Sequence, residues 1–330
     1  MKYTFPSALM ILALGLACLP SSAWAWGPEG HEVVADIAEE YLTTNTQKAV
    51  KDILGSKDLG DYEIAGWPDI IRGNQEYEAI YPGNGSWHYI DFDVWKRYSK
   101  NFKLTPPENR QDIVSQIGRW EKELASKDIA PGRRLDALRF LVHFVGDVHQ
   151  PMHCAFRAGD MGGNMIPINS FHGKHYSFTA DTPMDWAPNL HSVWDEYLVY
   201  ELMAGISPKT FANRLVKEIT PEQLPYWRKG DPINWATDSY WRARKEAYRW
   251  TNGQKLPYTW KRPGMDLTSD NYIDSHLPIV QEQLEKAGVR LAQLLNTALD
   301  PDYVTPPPAA ESATLAEPVE PAKNPSAPMK

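Results

Sequence analysis

The segment Leu135-Asp-Ala-Leu-Arg-Phe-Leu-Val-His-Phe-Val-Gly-Asp-Val-His-Gln-Pro-Met-His153 carries the clearest structural signal in this chain of 330 residues. Apolar residues occupy almost every face of its helical projection, which predicts a central helix buried on all sides. His143 and Asp147 interrupt the apolar surface, and because they are four residues apart they share one face. A buried carboxylate beside an imidazole is costly unless it is paired or bound to a metal. For one isolated pair, a hydrogen bond within the core is the usual explanation.

The residues at the end of this segment predict that the chain changes direction there. Pro151 disfavours helix at Gln150, so the chain should turn there and place His153 where it approaches a ligand from a different side. His149 lies six residues after His143, about 240° around the helix. It therefore faces elsewhere and is interpreted as structural.

A second His-x-x-x-Asp pair, His191 and Asp195, lies on another predicted helix. One such pair is a weak signal, since many helices carry one by chance. Two pairs together with His153, all in apolar and aromatic surroundings, favour a multinuclear metal site.

Three other short segments add candidate groups. They contain His31, Asp69 with Arg72 three residues later, and His88 with Asp91 three residues later. The combined ligand set has five histidines, three aspartates and no thiolate, a set that suits zinc.

The surrounding sequence predicts an all-α fold in a single domain over residues 26–300. Long apolar-polar alternation is scarce, and proline and glycine fall mainly between the helical segments. Apolar residues recur at helical spacing in His31–Leu42, Gln47–Leu54, Asp112–Leu124, Leu135–His149, Leu190–Met203, Pro208–Val216, Trp235–Trp250 and His276–Leu299.

Both ends of the chain differ from this domain. Residues 1–25 predict a secretory signal peptide whose cleavage leaves Trp26 as the new N-terminus, and hence a periplasmic or extracellular protein. A lipoprotein signal that ends at Cys18 is the alternative. No other apolar run approaches about 18 residues, so the mature protein is predicted to lack a membrane span. The Pro- and Ala-rich residues 301–330 predict a disordered tail, with a spacer or processed pro-segment as alternatives.

Charge and cysteine content exclude several classes of protein. A formal net charge of -8 argues against a broad basic surface that grips duplex nucleic acid, although bound metal ions would supply positive charge locally. The two cysteines, Cys18 and Cys154, exclude a disulfide-built scaffold, an iron–sulfur protein and a cysteine-rich zinc finger. After signal cleavage Cys154 has no partner in the chain.

The combined motifs resemble those of the zinc-dependent S1/P1 nucleases. They occur in the family order, as Trp26-Gly, His31, Trp67-x-Asp69-x-x-Arg72, Trp87-His88-Tyr89-x-Asp91, His143-Phe-x-Gly-Asp147-x-x-Gln-Pro-x-His153, Gly162-Gly-Asn164 and Asn189-Leu-His191-x-x-Trp-Asp195. The resemblance implies the helical fold of the phospholipase C/P1 nuclease type, with three zinc ions in a cleft. It also implies cleavage of single-stranded DNA and RNA to 5′-phosphorylated products, and removal of 3′-phosphates from nucleotides, by a monomeric enzyme.

The same resemblance implies a distribution of ligands in which Asp147 bridges two metals. The first zinc is expected on Asp69, His88, His143 and Asp147, the second on the Trp26 amino group and carbonyl oxygen, His31 and Asp147, and the third on His153, His191 and Asp195.

The resemblance to the family also implies roles for four further residues. Asp91 is expected to orient the attacking water, and Arg72 to neutralise transition-state charge or to hold Asp91. Asn164 is expected to contact an exposed base edge, and Tyr89 to stack under a base. A loop-forming asparagine and a core tyrosine are the alternatives for the last two.

One segment departs from the family pattern. Residues 171–188 look longer than the usual connection and are expected to change the cleft rim. His172 and His175 in this segment are interpreted as exposed loop residues rather than ligands. A zinc phospholipase C of similar fold is the alternative enzyme, and a zinc-storage or adhesion protein is the alternative without catalysis.

Overall fold

The computed structural model describes residues 26–96, 104–178, 188–257 and 264–305. The predicted signal peptide and almost all of the predicted tail lie outside these ranges. Within them, no helix is long and apolar enough to cross a membrane. The α-helices are α1 (Pro28–Glu39), α2 (Thr44–Leu54), α3 (Tyr62–Ala65), α4 (Trp67–Ile71), α5 (Gln75–Ile80), α6 (Ile113–Ala125), α7 (Pro131–Asp147), α8 (Leu190–Ser192), α9 (Leu198–Met203), α10 (Pro208–Glu218), α11 (Leu224–Trp227), α12 (Pro232–Arg242) and α13 (Tyr272–Leu299).

The predicted all-α class is confirmed, and a small sheet is added to it. Strand β1 (Ile168–His172) lies between β2 (Ser177–Phe178), which is antiparallel to it, and β3 (Met265–Asp266), which is parallel. Strands β2 and β3 have two residues each, and the five residues of β1 do not alternate between apolar and polar, so the sequence pattern does not identify the sheet.

Helix α7 is the central element, as its apolar composition predicts. Pro131 occupies its first turn, where the missing N–H costs nothing. From residue 137 onward every side chain except Arg139 is buried. The helix packs along α6, where the rings of Trp120 and Phe140 stack with centroids 4.3 Å apart. Its C-terminal end, which carries His143 and Asp147, therefore lies inside the molecule and away from bulk water.

Helix α13 supports α7 and also packs closely against α1. A methyl group at Gly288 would lie 2.4 Å from Ile37 Cγ2 and 3.1 Å from the Val34 carbonyl oxygen. The absence of a side chain at residue 288 therefore sets the distance between α1 and α13.

We expect Gly288→Ala to destabilise the protein by roughly 1–3 kcal/mol, the usual cost of overpacking a closed core. Gly118→Ala is the matched control, because its position on α6 has no heavy atom within 4 Å of the added methyl group. Alanine there should stabilise the helix by about 0.5–1 kcal/mol. Urea unfolding of the two variants measures both effects, and a Gly288→Ala variant as stable as the control would contradict the packing argument.

Candidate metal centre

The last turns of α7 place His143 and Asp147 side by side, as their spacing predicts. Both side chains are fully buried, and His143 Nε2 lies 3.3 Å from Asp147 Oδ2. His143 Nδ1 donates to the Ala65 carbonyl oxygen at 2.8 Å. Since a carbonyl only accepts, Nδ1 carries the proton and Nε2 keeps a lone pair that faces the aspartate.

The two carboxylate oxygens of Asp147 face different imidazoles. Oδ1 lies 3.2 Å from Nε2 of His31, which α1 supplies, and Oδ2 lies 3.0 Å from Nδ1 of His88. The His31 and His143 rings stack with centroids 3.8 Å apart. Three imidazoles, from α1, from the segment around His88 and from α7 itself, thus converge on one carboxylate.

Asp69 on α4 completes this cluster. Its Oδ1 lies 3.5 Å from His88 Nδ1, and its Oδ2 lies 3.6 Å from His143 Nε2. Arg72, at the end of the same short helix, brings Nη1 within 3.9 Å of Asp69 Oδ1. A positive side chain therefore borders the buried carboxylates.

A second cluster joins His153, His191 and Asp195. The chain leaves α7 and forms a 3₁₀ turn over Pro151–Cys154, which confirms the predicted change of direction. His153 Nδ1 donates to the His88 carbonyl oxygen, and His191 Nδ1 to the Gly162 carbonyl oxygen, each at 2.6 Å. Their Nε2 atoms lie 3.8 and 3.3 Å from the Asp195 carboxylate.

The backbone around Asp195 differs from the regular helix that the sequence predicts. After α8 the chain widens into a π-helical turn over Val193–Tyr197, a feature that is frequent at functional sites. His191 and Asp195 still meet across it. Gln150, for which the sequence predicted no role in the site, donates from Nε2 to Asp195 Oδ1 and so fixes the carboxylate.

Several buried atoms in the two clusters have no hydrogen-bond partner among the described residues, although an unsatisfied buried group costs about 1–3 kcal/mol. These atoms are His31 Nδ1 and Nε2, Asp69 Oδ1, His88 Nε2, Asp147 Oδ1, His153 Nε2 and His191 Nε2. The candidate ligand atoms form three groups, each within 4.8 Å: His31, His143 and Asp147; Asp69, His88 and His143; and His153, His191 and Asp195. Nitrogen and carboxylate donors without thiolate fit zinc.

Burial controls the protonation of these groups. It lowers the pKa of His31, His88 and His153 well below the usual histidine value, and that of His191 to about 4. These four imidazoles are therefore neutral at neutral pH and can donate a nitrogen lone pair to a metal ion. Burial also raises the pKa of the Asp147 carboxyl well above its usual range, with the Asp69 carboxylate as the next cause. Buried negative charge of this kind is stabilised by a cation.

Trp26 is packed against this cluster. Its indole Nε1 donates to the Gly146 carbonyl oxygen at 2.8 Å, and the next residue, Gly27, donates its N–H to the Asp195 carbonyl oxygen at 2.8 Å. A methyl group at Gly146 would lie 2.7 Å from His31 Nδ1. The start of the described chain is thus held between the two clusters of candidate ligands.

Asp91 and Tyr89 lie outside the buried clusters, on a groove of about 730 Å³. Asp91 is exposed, and Tyr89 is partly buried. Desolvation by the surrounding protein, and then the Asp160 carboxylate, raise the pKa of Asp91 to about 6. The carboxyl group is thus mostly ionised at neutral pH.

Asn164 lies in a tight loop beside the second cluster. Gly162 and Gly163 have φ values of 62° and 91°, which favour glycine, and the Gly162 carbonyl oxygen accepts from His191. Asn164 is partly buried, and its Nδ2 donates to the Met161 carbonyl oxygen at 2.9 Å. The two residues before Asn164 therefore lie against His191, while the hydrogen bond of Asn164 to Met161 agrees with the loop-forming alternative.

The remaining histidines of the sequence analysis lie apart from the clusters. His149 faces away from Asp147: its Nδ1 donates to the Val145 carbonyl oxygen and its Nε2 accepts from Arg290, each at 2.7 Å, as the helical phase predicts. His172 and His175 are exposed, which agrees with their interpretation as loop residues. The carbonyl oxygens that orient the imidazoles leave no signal in the sequence, because every residue has one. The only sequence signal for a role of Gln150 in the site was its position before Pro151.

The chain is similar to known proteins over most of its length. The family model for S1/P1 nuclease matches residues 26–300. Endonuclease 4 of Arabidopsis thaliana is 30% identical over 309 residues, which cover 86% of this chain and 92% of that protein. Nuclease P1 of Penicillium citrinum and nuclease S1 of Aspergillus oryzae are each 28% identical, over 82% and 88% of this chain and 97% of their own lengths. With a family match that contains both His/Asp clusters and the helices that hold them, the chain belongs to the S1/P1 nuclease family.

Proposed function

We propose that this protein is a zinc-dependent phosphodiesterase that cleaves single-stranded DNA and RNA to 5′-phosphorylated products and acts as a 3′-nucleotidase. The observation that carries the proposal is the convergence of unsatisfied imidazole and carboxylate atoms at the end of α7. Membership of the S1/P1 nuclease family supports it.

Three zinc ions are proposed, with ligands that follow the two clusters. Asp69, His88, His143 and Asp147 would hold one ion, Trp26, His31 and Asp147 a second, and His153, His191 and Asp195 a third. When bound, zinc supplies Lewis acidity, which polarises a phosphate oxygen and lowers the pKa of water to about 7. The protein contributes orientation, because backbone carbonyl oxygens accept hydrogen bonds from Nδ1 of His143, His153 and His191 and so fix these three rings.

The residues around the clusters would act directly on the substrate. Arg72 would place its guanidinium beside the phosphate and balance charge that develops there. Asp91, ionised and exposed on the groove, would orient water and accept its proton. Asn164 would hydrogen-bond an unpaired base edge, and Tyr89 would stack on a base.

Export is part of the proposal. Cleavage of the signal peptide before Trp26 would release a monomeric enzyme into the periplasm or the extracellular medium. There the enzyme would act without a disulfide, since Cys154 is buried and free, and zinc binding would add to its folding stability.

We expect hydrolysis of single-stranded DNA, RNA and 3′-AMP to stop after dialysis against a strong chelator, with loss of thermal stability. Zinc should restore activity and stability together, since its binding free energy also stabilises the fold. Product analysis should show 5′-phosphates, and duplex DNA should be cut more slowly than single strands.

Phosphatidylcholine is the control substrate. Its hydrolysis without nucleotide hydrolysis would favour the phospholipase alternative. Full activity in metal-free protein would contradict the zinc mechanism, and zinc binding without hydrolysis of any substrate would favour a storage protein.

A further inference from the structure

A surface outside the metal clusters concentrates positive charge in an acidic protein. The net charge of the chain is -8, yet Trp241–Lys255 contains five cationic side chains and only one acidic side chain, Glu246. Arg242 is paired with Glu282 at 2.8 Å. The other four cations lie over tryptophan rings, and we name this surface the tryptophan face, defined by Trp95, Trp241, Arg244, Lys245, Arg249 and Lys255.

Each of the two indole rings has more than one cation near its centroid. Lys255 Nζ lies 4.0 Å and Arg249 Cζ 5.3 Å from the centroid of Trp95. Arg244 Cζ lies between the two tryptophans, 5.9 Å from Trp95 and 5.6 Å from Trp241. Lys245 Nζ lies 5.6 Å from Trp241. Trp241 is 41% exposed, so its ring remains available for stacking.

The charge on this face is not neutralised by the described part of the protein. Arg244 donates to the carbonyl oxygens of Val94 and Lys96, and Arg249 donates to those of Arg244 and Gly253. These acceptors are neutral, so they hold the guanidinium groups in place without cancelling their charge. Across the described ranges, no carboxylate lies within 4.0 Å of the four cations.

The tryptophan face adjoins the groove that Tyr89 and Asp91 line. Arg244 holds the end of the segment from His88 to Lys96, and Tyr89, Asp91 and Lys96 on this segment line the groove. Seven residue steps separate His88 from Trp95, so the tryptophan face begins within about 25 Å of the first cluster. A flexible chain that enters the clusters can therefore reach it.

We propose that the tryptophan face binds the part of a single-stranded polynucleotide that extends beyond the cleaved bond. The proposal rests on the proposed function and adds a second binding surface for its single-stranded substrate. Phosphates would lie against the cations and unpaired bases on the indole rings, the combination that binds single strands without sequence preference. Bases in a duplex are already stacked and would not reach the rings.

The test compares a long and a short substrate in the zinc-loaded enzyme. Trp241→Ala should raise KM for an oligothymidylate of about 20 nucleotides at least ~5-fold, since base stacking contributes about 1–3 kcal/mol per base. KM and kcat for 3′-AMP should not change. Tyr226→Ala is the matched control, because Tyr226 is also exposed and also lies under a lysine, Lys229, at 5.0 Å.

The contribution of the positive charges is measured separately, from the salt dependence of KM. Lys245→Gln with Lys255→Gln should reduce the slope of log KM against log salt for the long substrate by about 1.4, since each phosphate that a lysine neutralises on a single strand contributes about 0.7. Lys48→Gln with Lys51→Gln removes the same charge from exposed positions on α2 and should leave the slope unchanged. Unfolding midpoints of all variants should equal that of the parent protein.

The outcomes separate the two proposals. If the parent protein fails to hydrolyse 3′-AMP, the proposed function is wrong, and the tryptophan-face proposal is withdrawn with it. If it hydrolyses 3′-AMP but the face variants match their controls on the long substrate, the tryptophan face does not bind polynucleotide. Binding of the parent to anionic phospholipid vesicles that the two lysine substitutions abolish, with unchanged oligonucleotide kinetics, would assign the face to membranes instead.

Discussion

Asp147→Asn should remove more than one zinc ion and lower kcat by roughly 10³-fold, which corresponds to about 4 kcal/mol of transition-state stabilisation. In the structure Oδ1 faces His31, while Oδ2 faces His88 and His143. An amide has the same shape but presents one neutral oxygen, so it cannot serve both sides. Its NH₂ group would instead donate to an imidazole nitrogen that has to stay free for metal. Elemental analysis of the purified variant measures the zinc that remains.

Asp195→Asn is the matched control, because it makes the same chemical change in the second cluster. Asp195 contacts His191 and His153, and it accepts a hydrogen bond from Gln150. Its replacement should therefore affect about one zinc ion. Equal zinc losses in the two variants would argue against a bridging role for Asp147.

One extra residue before Trp26 should weaken the binding of one zinc at least ~100-fold, because even groups that only orient a metal ligand contribute about 10–100-fold in affinity. A terminal amine has a pKa near 8 and binds metal when it loses its proton. When another residue precedes Trp26, the same nitrogen belongs to a planar amide and is a poor ligand for a metal ion. The chain cannot easily move to restore the lost ligand. Trp26 is buried and hydrogen-bonded to the Gly146 carbonyl oxygen, and the Gly27 N–H is hydrogen-bonded to the Asp195 carbonyl oxygen.

The comparison needs a single polypeptide in two states. A form with one added glycine before Trp26 is prepared, and half of it is trimmed by an aminopeptidase to expose Trp26, with both termini confirmed by mass spectrometry. Zinc content and turnover of 3′-AMP should rise after trimming. Equal values before and after would show that the amine is not a ligand, and would favour the Cys18 cleavage site again.

Several features of the candidate metal centre were predictable from short sequence patterns. Spacing of four residues correctly paired His143 with Asp147, and His191 with Asp195. Proline at residue 151 correctly predicted the turn before His153. Helical phase correctly directed His149 away from the cluster, toward Arg290. Each inference used only local geometry, which depends on the neighbouring residues along the chain.

Local sequence patterns did not predict the features that depend on contacts between distant segments. The π-helical turn at Val193–Tyr197 was predicted as regular helix, since the widening depends on tertiary packing rather than on helix propensity. The hydrogen bond from Gln150 to Asp195 joins residues 45 positions apart, and no spacing rule connects them. The tryptophan face likewise needs Trp95 to meet Arg249 and Lys255 from a separate part of the chain.

The sequence alone therefore predicts the helical class, the buried α7 and the chemical types of the ligands, because periodicity, apolar content and side-chain chemistry are properties of short segments. Tertiary structure alone establishes that Asp147 directs its two oxygens to different histidines, and that carbonyl oxygens orient the rings of His143, His153 and His191. The physical reason is that these contacts join α1, α4, α7 and the segment around His88, whose relative positions result from packing of the whole core.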